Sequence, residues 1–146
     1  MITDSRWQHI LGVARKTKQL ALKLKPENTQ YAEDMFMLGI MHDLGYEFTE
    51  SNNTHASTAG EILKRSGYQY WQEISLHGNE TINNMSDELF ILNSADMMTG
   101  PNGQDFTFDE RLEEIAYRFG NDSTVYKNCA LIVQKLTSDT RYKKIK

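Results

Sequence analysis

The chain has 146 residues, with 16 Lys and Arg against 20 Asp and Glu and a net charge of −4. That length suits one domain, which buries about two-thirds of its unfolded surface and needs no disulfide staple. The acidic balance disfavours an extended nucleic-acid partner but permits a local phosphate pocket. A lone Cys129, no signal-peptide pattern and no long apolar run point to a reducing, cytoplasmic setting without a membrane partner.

Apolar residues recur at helical spacing almost throughout, and alternating runs are missing, so the expected fold class is all-α: a compact bundle of six or seven helices over residues 1–146. A first helix spans Thr3 to Leu24, with Trp7, Ile10, Val13, Ala14 and Leu20 as an inner stripe that includes His9, and Pro26 closes it. A second runs from Tyr31 to Asp43, with Met35, Leu38 and Met41 inward, the His42-Asp43 pair in its last turn and Gly45 as its stop. Asn52, Asn53 and Thr54 offer N-caps for a third helix from His55 to Arg65, which ends before Gly67. A shorter helix from Tyr70 to His77 breaks at Gly78 and Asn79. Ser86 caps a mostly apolar fifth helix leading through Asp96 to Met97, and a Pro101-Asn102-Gly103 turn follows. Thr107 and Glu110 have capping-box spacing for a sixth helix stopped by Gly120, and Ser123 caps a seventh that carries Val125, Leu131, Ile132, Val133 and Leu136. Arg141, Lys143, Lys144 and Lys146 read as a solvated, frayed end.

All four histidines fall in an ordered series, His9, His42-Asp43, His55 and His77, that ends at Asp96. Taken singly, each has an ordinary explanation. His9 suits a core histidine, His55 a helix start, and His77 a helix C-terminus where the dipole favours it. Together they leave unexplained why an apolar helix should point Asp96 inward, because a buried, unpaired carboxylate is costly and a cation removes that cost. Imidazole and carboxylate donors without thiolate suit Fe, Mn, Zn, Co or Ni, and exclude a zinc-finger composition. Adjacent residues on a helix diverge by roughly 100°, so His42 and Asp43 share a site only if it lies between them, which places Asp43 to bridge two ions. Six donors exceed what one catalytic ion with open positions takes from protein, favouring two divalent ions per chain.

Residues 7–99 resemble the HD-domain superfamily of metal-dependent phosphohydrolases, an all-helical fold. The resemblance is carried by His9, by Met41-His42-Asp43-Leu44-Gly45, by His55-Ala56 with Gly60-Glu61-Ile62-Leu63, by His77 and by Ala95-Asp96. It implies that His9, His42, Asp43 and Asp96 hold a first metal, while His55 and His77, with Asp43 bridging, make the second site of the two-metal branches. Those branches include dinucleotide phosphohydrolases and a minority of di-iron oxygenases. Two positions depart from many relatives: Tyr46 stands where Lys or Glu is common, and Met97-Met98 where the dinucleotide hydrolases have Lys.

The implied activity is hydrolysis of a phosphate ester or anhydride in a small nucleotide-like substrate. Asp43 would orient the metal pair and accept a proton. Tyr46, Asn79, Arg111 and Arg118 are candidates for substrate contacts, each equally suited to a surface or helix-stabilising role. A di-iron oxygenase using the same six ligands to cleave a carbon bond is the alternative, and a non-catalytic scaffold a third.

Overall fold

The computed structural model describes residues 1–49 and 54–146. Their order is α1 (Asp4–Leu24), α2 (Thr29–Met41), a single 3₁₀ turn (Leu44–Glu47), α3 (His55–Arg65), α4 (Trp71–Leu76), α5 (Asp87–Met97), α6 (Phe108–Phe119), α7 (Thr124–Ser138) and α8 (Tyr142–Ile145). No strand forms among the described residues. Thr99 and Asp105 make one isolated antiparallel bridge across the Pro101–Gly103 turn.

The starts of five of these helices are fixed by side-chain oxygens that accept amides left without intrahelical partners. Thr3 accepts from Arg6, Asn28 from Tyr31, Ser86 from Leu89 and Ser123 from Tyr126, and Thr107 with Glu110 closes a full capping box. Helix α5 is the centre of the bundle. Leu89 through Ala95 are all buried, so this helix has no solvent face, as an apolar helix surrounded by others requires. Helix α1 packs against both α2 and α5, and α7 closes the other side of α5. The α1–α2 contact is close because Gly39 lies over Ala14, where an added Cβ would stand 2.6 Å from the Ala14 Cα.

Four expectations change. Helix α2 ends at Met41 rather than Asp43, because the chain tightens into the 3₁₀ turn, whose Gly45 receives the backbone of His55 at a distance no Cβ allows. Trp7 is 45% exposed and leaves the inner stripe of α1 to His9, Ile10, Val13 and Ala14. The basic C-terminus is not frayed: Ile145 is buried in α8, and Arg141 donates to Asp87 and Asp139 while its guanidinium lies 4.6 Å over the Phe90 ring. Thr54 precedes α3 without a capping hydrogen bond, and Asn52 and Asn53 lie outside the described residues.

Candidate metal centre

Helix ends place most of the series. His42 and His77 are the C-cap residues of α2 and α4, and each turns its ring back on its own helix. The last carbonyls of a helix lack amide donors. His42 Nδ1 donates to the Gly39 carbonyl at 2.7 Å, and His77 Nδ1 to the Ile74 carbonyl at 2.5 Å. His9 sits within α1 and reaches across to the Gly100 carbonyl in the turn after α5, at 2.9 Å. Because a carbonyl only accepts, all three rings carry hydrogen on Nδ1, and in the neutral imidazole Nε2 is then a bare lone pair. Such backbone anchoring is how proteins orient imidazole ligands. His55 opens α3, its backbone seated on Gly45, and Asp96 projects from the last turn of α5.

These lone pairs and two carboxylates converge. His9 Nε2 is 2.9 Å from Asp96 Oδ1 and 3.8 Å from Asp43 Oδ2, and His42 Nε2 is 3.3 Å from Asp43 Oδ2 and 3.7 Å from Asp96 Oδ1. On the other side of Asp43, Oδ1 lies 3.3 Å from His55 Nε2 and 3.5 Å from His77 Nε2, and those two nitrogens are 3.2 Å apart. His9, His42 and Asp96 form one group of possible ligand atoms, all within 4.8 Å of one another, and His42, Asp43 and His77 form a second. His42 Nε2 is fully buried with no hydrogen-bond partner among the described residues.

Bare nitrogens facing carboxylate oxygens require positive charge between them. Burial disfavours the His42 cation, but the Asp43 and Asp96 carboxylates outweigh it and push the imidazole up to about 10. Burial likewise works against both carboxylates; the His42 charge and hydrogen bonds from the imidazoles nevertheless hold Asp43 and Asp96 well below the usual carboxylate range. Protons and divalent cations are thus competing solutions to one electrostatic demand. The donor set fits a divalent ion by hardness, tautomer and spacing.

The centre opens into a cleft of about 630 Å³, lined by His9, Asp43, His55 and Asp96 together with residues of α6 and α7. All four residues singled out for substrate contact line it. The Tyr46 ring stacks on His55 at 4.3 Å, and burial together with Asp43 pushes its phenol up to about 12, so it stays neutral at physiological pH. Asn79 spends its side-chain oxygen on the backbone and hydroxyl of Thr81. Arg111 and Arg118 share Glu114. Two further residues belong to the site. Arg6, one turn before His9 on α1, donates to Asp43 Oδ2 at 3.1 Å and lies 4.0 Å over the Tyr46 ring; its i, i+3 spacing from His9 was the available signal. Asn93, buried one turn before Asp96, accepts from the Gly78 amide at 2.9 Å and so ties the end of α4 to α5.

A family model for the HD domain matches residues 6–100, two-thirds of the chain and the whole span from His9 to Asp96. The chain belongs to the HD domain family. Its members are in general metal-dependent hydrolases that bind divalent ions, and the histidine and aspartate groupings here are compatible with such a site. No curated protein and no solved structure matches the chain. Helices α6 and α7, whose residues also line the cleft, lie beyond the matched span, as does α8.

Proposed function

We propose that this HD domain is a phosphohydrolase acting on a phosphate ester or anhydride of a small nucleotide-like substrate through a pair of divalent ions. One observation carries the reading: the two oxygens of Asp43 face different imidazole pairs, Oδ2 toward His9 and His42 and Oδ1 toward His55 and His77. A carboxylate so placed could serve two ions at once, and Asp96 would add a further donor beside His9 and His42.

Bound divalent ions in such a pair activate water at neutral pH and neutralise charge on a phosphoryl group. The protein's own part is positional. Backbone carbonyls lock three imidazoles so that Nε2 faces the site, which limits reorganisation when the ligands engage. Arg6 holds Asp43 from the cleft side while keeping further N–H donors for substrate oxygen, a geometry suited to phosphate. Tyr46 buttresses His55 and offers a neutral hydroxyl. The walls of Ile115, Phe119 and Ile132 suit the apolar faces of a nucleoside. No helix among the described residues is long and apolar enough to cross a membrane.

The test pairs elemental analysis with a screen of nucleotides for phosphate release by protein loaded with Mn, Fe, Co, Ni or Zn. About two ions per chain and oxygen-independent phosphate release are expected. Oxygen uptake without phosphate release would instead assign the same ligands to an oxygenase. Activity that survives Asp43→Ala would reject a metal-centred mechanism.

A further inference from the structure

Helix α6 presents Arg111, Ile115, Arg118 and Phe119 to the cleft, positions i, i+4, i+7 and i+8 of a single stripe. Glu114 lies between the two guanidiniums and accepts from each on a separate oxygen, Arg111 Nη1 on Oε2 and Arg118 Nε on Oε1. One carboxylate against two guanidiniums leaves one positive charge uncompensated. Arg111 is held almost out of solvent, its side chain 11% exposed, and its Nε has no hydrogen-bond partner among the described residues. A buried guanidinium donor left unpaired is costly, and this one belongs to a side chain that lines the cleft. Met97, Val125 and Ile132 line the same cleft as this fork and the histidines and give it apolar surface. Cys129, which lines the cleft too, feels the charges of both Asp96 and the two arginines, so the fork and the metal centre border one space.

Building on the phosphohydrolase reading, we infer that the Arg111–Glu114–Arg118 fork is a second anion subsite. The substrate class is then a phosphate compound bearing a further anionic group, set apart from the scissile one by an apolar body, as in a nucleoside bisphosphate. The fork stands outside the span shared with the HD family, so the selectivity belongs to this chain's own C-terminal helices. Glu114 aims the guanidiniums and limits their charge, which keeps the subsite selective for a ligand that also engages the metal centre.

Calorimetric titration of the Mn-loaded full chain with AMP and with adenosine 3′,5′-bisphosphate tests this. The bisphosphate should bind at least about tenfold tighter, the worth of one charge-assisted hydrogen bond, and the preference should shrink as ionic strength rises. In the Arg111→Gln/Arg118→Gln double variant the preference should fall to near unity. Equal affinity of the wild type for the two ligands, or a preference that survives the double substitution, overturns the inference. If the double variant fails to fold, judged by circular dichroism, the wild-type ratio and its salt dependence decide alone: a ratio near unity, or one indifferent to salt, overturns the inference as well. Phosphate release from any ester without a bisphosphate preference would sink the subsite and leave the hydrolase standing. A preference without hydrolysis of any phosphate compound would do the reverse.

Discussion

Gly45→Ala is the smallest change that should separate the two halves of the centre. Gly45 does not occupy the left-handed region, so the substitution adds volume without backbone strain. The added Cβ would stand 1.7 Å from the carbonyl oxygen of His55, 2.6 Å from its carbonyl carbon and 2.9 Å from its Cα. These are backbone atoms at the start of α3 and cannot swing aside as a side-chain tip would. His55 must therefore retreat by more than about 1 Å, whereas metal and catalytic groups tolerate about 0.5 Å, and a 1 Å misplacement costs about 100-fold in rate. His9, His42 and Asp96 are held by other elements and should stay. Elemental analysis should accordingly read about one ion per chain in place of about two, with phosphate release down about 100-fold and stability down by about 1–3 kcal/mol from overpacking. Gly67→Ala is the control: Gly67 has a φ of +77° with nothing near its Cβ, so it loses about 1 kcal/mol of stability without loss of metal. A Gly45→Ala protein that keeps two ions and full activity would show that the His55 backbone is not held by this contact.

Other consequences follow from groups outside the centre. Arg141 donates to Asp87 at 2.8 Å and to Asp139 at 2.7 Å, and Arg141→Ala should cost about 1–2 kcal/mol, a value discounted for the partial exposure of Asp87. Hydrogen bonds from Arg141 hold both carboxyls below the ordinary value of 3.8, so their contribution is present above that pH and is lost as pH falls through the depressed folded values. The melting-temperature gap between wild type and Arg141→Ala should thus narrow as pH falls below 3.8; a gap of constant size would contradict it. Burial pushes the Cys129 thiol up to about 11. Alkylation by iodoacetamide at pH 8 should then run more than about 100-fold slower than for free cysteine and recover in denaturant, and labelling at the free-thiol rate would show the side chain to be open.

Much of this was written in the sequence, for identifiable reasons. Caps such as Ser86, Ser123 and the Thr107–Glu110 box act within three residues, so their chemistry is local and readable. The ordered His and Asp series is equally visible, because imidazole is scarce and has few roles. Arg6 was overlooked since its significance lies in a contact 37 residues away, with Asp43. The basic tail was misread for the same reason: Arg141 looks solvated until Asp87, Met85 and Phe90 gather around it from 51 to 56 positions earlier. The turn at Pro101–Gly103 adjoins Gly100, which orients the His9 ring, a role that depends on a contact 91 positions apart.

The position of the series along the helices also accounts for its rigidity. His42 and His77 cap helices, His55 begins one, Asp96 lies in the last turn of another, and Asp43 follows directly on a cap. A helix terminus leaves carbonyls without donors, and a histidine placed there satisfies one through Nδ1 while Nε2 points beyond the helix axis. The bond that completes the helix is thus the same bond that selects the ligand tautomer. His9, inside α1, has no such carbonyl within reach on its own helix and borrows one from Gly100, so its orientation depends on the α5–α6 turn packing against Gly12 and Gln8 of α1. Folding energy and ligand orientation are in this way drawn from the same contacts, and the site needs no long loop to hold it.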